Sequence, residues 1–178
     1  MPTPDRTSLD EIVAAAADLL EQEGLAGLTM SAVAQRVGVR APSLYKRVDG
    51  RDQLIRLVAE ATLQELATRL AQTDDPRRML DTLRALGHER PAAFQLVMTP
   101  GAGTPRPRPE FGVRASEPVL QVGRRLAGEE NALEAARTVT AWAAGFISME
   151  LNGGFNLGGD VDAAWDFGAT RVLRAIAD

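Results

Sequence analysis

The chain has 178 residues, a formal charge of −4, and a composition that is 45% hydrophobic but only 4% aromatic. That length suits one globular domain or two small ones, with a core built mainly from Ala, Leu and Val. No cysteine and a single histidine, His88, exclude disulfides, thiolate metal sites and multi-histidine clusters.

No stretch approaches a membrane span, so a cytoplasmic location is the default expectation. Residues 1–7 are Pro-containing and unpatterned, and read as a loose arm. Ser8 followed by Glu11 is a capping box that starts a first helix. Leu9, Ile12, Val13, Ala16, Leu19 and Leu20 form its apolar stripe, and Gly24 ends it. A short second helix opens at Thr29, whose hydroxyl can cap the next turn. Val33, Ala34 and Val37 share one face, and Gly38 supplies the left-handed residue that stops the helix. Pro42 is pre-set for the first turn of a third helix, expected from Pro42 to about Val48. Asp49-Gly50 is a turn.

A long helix then runs from Arg51 to about Gln72, with Leu54, Leu57, Val58, Ala61, Leu66 and Leu70 at helical spacing. Asp75 caps a helix from Pro76 to about His88, and Pro91 restarts a short one to about Met98. Residues 99–109 contain four prolines and two glycines, and form a loop. It is either a lid over a pocket or a variable surface loop. A helix follows between Phe111 and Leu126, kinked at Pro118 or beginning near Ser116. The next, about Glu129 to Asn152, is apolar all round from Val139 to Leu151, with Glu150 as its one ionisable side chain. That pattern asks for burial on two sides, the second by a partner subunit. Asp160 caps a last helix to about Ala177. About nine helices and no strand make an all-α chain.

A short helix, a glycine turn and a second short helix is the arrangement that places a recognition helix in the DNA major groove. Charge agrees. Arg36 to Arg56 holds six basic residues against two acids, while the rest of the chain has 14 basic and 22 acidic residues. Phosphate contacts supply most non-specific affinity, so a basic element on an acidic chain is informative. The bland alternative is a helical hairpin with a solvated basic face. No catalytic constellation is evident: there is no Gly-rich phosphate loop or nucleophile elbow, and His88 lacks a partner at nearby spacing. An enzyme, a metal or a cofactor is therefore not expected.

The run LTMSAVAQRVGVRAPSLYKRVDGRDQL resembles the DNA-binding domain of TetR-family regulators. The likeness rests on Leu28-Thr29, Val33-Ala34, Val37-Gly38-Val39, Pro42-Ser43-Leu44-Tyr45, and Arg51 followed by an acid and Leu54. Position 48, usually aromatic in the family, is Val48. The resemblance implies a helix-turn-helix domain over 1–52 and a helical ligand-binding and dimerisation domain over 53–178. It implies that Tyr45 and Arg51 hold phosphates and that Thr29 sits at the DNA backbone. Ala41, Pro42, Ser43, Lys46 and Arg47 then face the groove, with Arg40 among the contacting residues. Trp142 to Leu151 faintly resembles a Trp-His-Gly motif of one group of these regulators, with Ala144 in place of the His. Phe94, Phe111, Trp142, Phe146 and Met149 line a ligand cavity on that reading, or are plain core on the bare periodicity. The expected function is a ligand-responsive regulator, a repressor binding a pseudo-palindromic duplex operator as a homodimer through its last two helices, with a small-molecule effector. The rival is a small-molecule-binding or scaffold protein that has lost operator control.

Overall fold

A computed structural model describes residues 7–177, and all its regular structure is α-helical. The expected arm at 1–7 lies, apart from Thr7, outside the described residues. Eight helices follow in order: α1 (Leu9–Gly27), α2 (Met30–Arg36), α3 (Ala41–Leu44), α4 (Arg51–Leu70), α5 (Pro76–Glu89), α6 (Pro91–Met98), α7 (Pro109–Leu151) and α8 (Val161–Ala177).

Local signals place most of these boundaries. The capping box is formed, with the Glu11 amide 3.1 Å from the Ser8 hydroxyl and the Ser8 amide 2.7 Å from Glu11 Oε2. Asp75 caps α5 through the Arg78 amide at 2.8 Å, and Asp160 accepts from the Asp162 amide at 2.8 Å at the head of α8. Gly24 breaks α1 at φ 68°, and a short turn carries the helix on to Gly27. Gly128 breaks α7 in the same way at φ 78°, so the 43-residue run is two helices folded against each other. These two segments are the helices expected before and after residue 128. The first starts at Pro109 rather than near Ser116, because extended Arg108 delivers Pro109 straight into the first turn. Pro118 sits inside it with helical geometry. The fold forces a second glycine here. A Cβ on Gly123 would collide with the Ala132 carbonyl, where the two halves of α7 cross.

Two apolar cores lie end to end. The first joins α1, α2, α3 and the start of α4 through Ile12, Leu20, Leu28, Val33, Leu44, Val48, Leu54 and Val58, and takes in Ala93 and Leu96 of α6. The second gathers the rest of α4 with α5, α7 and α8 around Leu66, Leu83, Leu86, Phe94, Ile147 and Trp165. α4 therefore runs through both, and at 20 residues it is about 30 Å long. A second bridge is polar. Glu21 of α1 accepts from the free amides of Ala92 and Ala93 at 3.0 and 2.8 Å, capping α6 from outside its own segment.

The all-round apolar helix is only partly as expected. Val139, Ala143, Ala144 and Ile147 are buried in the chain, Trp142 and Phe146 are half-buried, and Ala141, Gly145 and Met149 are exposed. Trp165 of α8 lies inside the chain. It is 1% exposed, stacked on Trp142 at 5.0 Å between ring centroids, with its indole N–H donating to Asp81 at 2.8 Å. Gly168 leaves the room that the Trp142 ring fills. Trp165 thus locks α8 to α7 and α5 within one chain.

Candidate nucleic-acid interface

α2 is closed at both ends by its own residues. The Thr29 hydroxyl accepts from the Ala32 amide at 3.1 Å. At the other end Gly38 has φ 70°. Its amide reaches the Gln35 carbonyl at 3.2 Å, and the Val39 amide reaches the Ala34 carbonyl at 2.9 Å. That pair of bonds is the Schellman closure. The turn then delivers Arg40, in extended geometry, to the head of α3.

α3 is shorter than the expected Pro42–Val48 helix. Regular helix spans Ala41–Leu44, and Tyr45, Lys46 and Arg47 continue as a tightened turn, with the Arg47 amide on the Leu44 carbonyl at 2.8 Å. The reason lies in the core. Leu44 and Val48 are 1% and 0% exposed, and the chain must turn at Gly50, φ 154°, to start α4. With those two side chains turned inward, Arg40, Pro42, Ser43, Tyr45 and Lys46 are exposed, and Ala41 and Arg47 are half-buried. Tyr45 is 55% exposed, so its hydroxyl is open to solvent.

Arg51 is also engaged within the chain. It is exposed, but its Nε donates to the Leu28 carbonyl at 2.8 Å and a terminal N–H donates to the Leu25 carbonyl. These bonds tie the Arg51 guanidinium to carbonyls at the end of α1 and brace the helix-turn-helix, while its remaining N–H donors stay available to a phosphate. Thr29 keeps its O–H as a donor beyond its cap bond, so a backbone phosphate remains open to it. Arg36 is tied to Gln22 at 2.9 Å.

The five aromatic and Met residues named for a ligand cavity do not surround one space. Trp142 and Phe146 pack together at 5.7 Å. Phe94 is fully buried near Gly87. Phe111 lies under the Arg108 guanidinium at 4.9 Å, and Met149 is half in solvent. A cavity of about 340 Å³ opens instead beneath the 99–108 loop, between α4, α5, α6 and α7. Leu63, Leu66, Leu70, Leu83 and Val119 wall it, with Pro105 and Arg106 of the loop at its edge. None of the five residues lines it. A smaller apolar space between Leu80, Val122 and Val139 holds only about 30 Å³, room for little more than a water.

The loop is pinned by a contact no local signal announces. Glu60, in the middle of α4, has a side chain 4% exposed. It accepts from the Arg108 Nε and Nη2, both at 3.0 Å, and from the Arg108 amide at 3.1 Å. Burial pushes the Glu60 carboxyl up, but these bonds and the charges of Arg108 and Arg56 outweigh it, and it is held below the ordinary value. A comparable cluster joins α5, α7 and α8. Arg84 is bidentate on Glu150, with Nε at 2.9 Å, and His88 adds a contact at 3.1 Å. His88 is exposed near the end of α5.

A three-helix unit with an exposed helix-turn-helix, followed by a helical bundle, defines the class of helix-turn-helix transcription regulators. The family described as "Tetracyclin repressor-like, C-terminal domain" matches residues 2–172. The chain belongs to the TetR family of transcriptional regulators. It is 29% identical over 184 residues to an uncharacterized HTH-type transcriptional regulator of Mycobacterium tuberculosis, covering 98% of this chain and 82% of that protein. It is 39% identical over 66 residues to the tetracycline repressor protein class E of Escherichia coli, a match that spans 37% of this chain and 31% of the repressor. The fold is that of a TetR variant from Acinetobacter baumannii solved in complex with minocycline, with a TM-score of 0.68 at 24% identity over 95% of this chain and 96% of the other. Among the described residues no helix is long and apolar enough to cross a membrane.

Proposed function

We propose that the chain is a repressor that binds a pseudo-palindromic duplex operator as a homodimer and releases it when a small molecule enters the second half. The observation that carries this is the outward set on α3 and its turn. Arg40, Pro42, Ser43, Tyr45 and Lys46 are exposed while Leu44 and Val48 anchor the element from behind. Tyr45 and Thr29 supply neutral donors to phosphate, and Arg40 and Arg47 supply charge. Ala41, Pro42 and Ser43 bring the backbone close to the groove wall, and Lys46 reaches base edges.

Dimerisation is supported by the faces that α7 and α8 leave uncovered. Ala141, Gly145 and Met149 stand four apart on α7, and Phe167 of α8 is 65% exposed. Small residues beside large apolar ones allow two such pairs to pack about a two-fold axis. Two recognition elements then read half-sites spaced by about one helical turn, roughly 34–36 Å.

Two functional units follow, 1–52 and 53–178, with α4 common to both cores. An effector beneath the 99–108 loop touches α4 at Leu63, Leu66 and Leu70. The Glu60–Arg108 contact and the Glu21 cap of α6 carry its effect to the helix-turn-helix. Only a differential affinity of a few kcal/mol between the two arrangements is required. That a similar fold is solved in complex with minocycline supports a small-molecule ligand for this chain. A gel shift with the DNA upstream of the chain's own coding sequence tests the reading. A discrete complex displaced by unlabelled specific duplex supports it, and equal displacement by scrambled duplex would leave a scaffold protein in its place.

A further inference from the structure

We infer that the effector is a small apolar monoanion, a molecule with an aliphatic body and one carboxylate, and that Arg106 receives the acid. This rests on the ligand-responsive reading above and names the ligand class for the same cavity.

The walls decide the body of the ligand. The cavity of about 340 Å³ falls within the usual range for small-molecule sites. Its lining is dominated by Leu and Val from α4, α5, α6 and α7, together with prolines of the loop. No aromatic ring lines it, so a planar ring system finds no stacking partner. No Asp or Glu lines it either, so a cationic ligand would enter without a counter-charge.

The rim decides the head. Two arginines of the loop, Arg106 and Arg108, line the opening. Arg108 is already neutralised by two bonds to the buried Glu60 carboxylate. Arg106 has neither an ion pair nor a hydrogen bond among the described residues, and it is exposed at the mouth. An unneutralised guanidinium beside an apolar cavity favours a carboxylate, which it can hold in bidentate geometry. The loop restrains the backbone that carries this cation. Pro105 and Pro107 fix the backbone torsions on either side of Arg106, and the Arg108 amide is held by Glu60 at 3.1 Å. Ser116 and Thr140 are the neutral hydroxyls on the lining.

Calorimetric titration of the full chain at neutral pH with decanoate, decan-1-ol and decylamine, each below its aggregation limit, tests this. The acid is expected to bind at least about tenfold more tightly than the alcohol, and the amine not measurably. Arg106→Ala should bring the acid down to the alcohol's affinity, and Arg106→Lys should keep part of the preference. Equal binding of acid and alcohol, an unchanged preference in Arg106→Ala, or no binding of either would overturn the inference. A gel shift on the same ligand-free preparations separates the two failures. Intact operator binding without an acid preference refutes the ligand class alone, whereas loss of sequence-specific DNA binding in the wild type refutes the regulator.

Discussion

Glu60 and Arg108 face each other across the boundary between the linking helix and the loop. Glu60 is buried on α4, and the Arg108 side chain, 56% exposed, reaches it with two 3.0 Å bonds. A carboxylate in the middle of a helix that crosses both cores is costly to bury unless it is paired. Here the partner arrives from 48 positions away, at the residue just before α7. The pair therefore fixes where the loop sits and where α7 begins.

Substitution of either residue should loosen that corner. Glu60→Gln keeps the shape but loses the charge assistance, and should destabilise the chain by about 1–2 kcal/mol. Arg108→Ala should destabilise it too, by leaving the buried carboxylate unpaired, whereas Arg106→Ala should leave the melting temperature nearly unchanged. Scanning calorimetry of the three variants checks the order.

The same pair carries a pH signature. The folded-state value of Glu60 lies below the ordinary value of 4.5. A carboxyl depressed on folding contributes stability that is present above its unfolded value and lost as pH falls through the folded one. The stability gap between wild type and Glu60→Gln should thus be constant near neutrality and shrink on acidification below about 4.5. Denaturant titrations across that range check it, and a gap that widens toward acid would contradict the assignment.

Arg51 should behave as a brace. Removing its bonds to the Leu28 and Leu25 carbonyls with Arg51→Ala should cost about 1 kcal/mol of stability and weaken all DNA binding through a displaced helix-turn-helix. Tyr45→Phe, by contrast, should leave the melting temperature unchanged and weaken all duplexes about equally. If Arg51→Ala kept full stability and only lowered the salt dependence of binding, it would be a phosphate ligand after all.

What was legible in the sequence was what neighbouring residues decide. Ser8 with Glu11, Thr29, Gly38, Asp75 with Pro76, and Asp160 place helix ends within a few residues, because caps and left-handed glycines act over one turn. The exposed basic element was legible for the same reason. The early end of α3 was not, because it follows from how Leu44 and Val48 seat in a core assembled from five helices. The use of Arg51 on carbonyls 23 and 26 positions back, the Glu21 cap on α6 and the Glu60–Arg108 pair are long-range, and no periodicity encodes them. Trp142 and Trp165 share a helical spacing with ordinary core, so the pattern alone did not separate cavity wall, core and open face.

The uncovered faces of α7 and α8 make a prediction of their own. Met149→Arg or Phe167→Arg would place a charge at the centre of the proposed dimer interface and should give monomer, or sharply raised dissociation, by sedimentation. DNA affinity should fall with it, since a single half-site loses the linked second contact. An unchanged dimer in both variants would place the interface elsewhere.

The central claim is that the surface of α3 and its turn reads DNA sequence. Binding-site selection with the wild-type protein, repeated with Lys46→Ala, tests it most directly. The expected result is a two-fold symmetric consensus for the wild type, and relaxed preference at one symmetric pair of positions in the variant, by about 1–3 kcal/mol. No enriched sequence from the wild type, or an identical consensus from the variant, would contradict it.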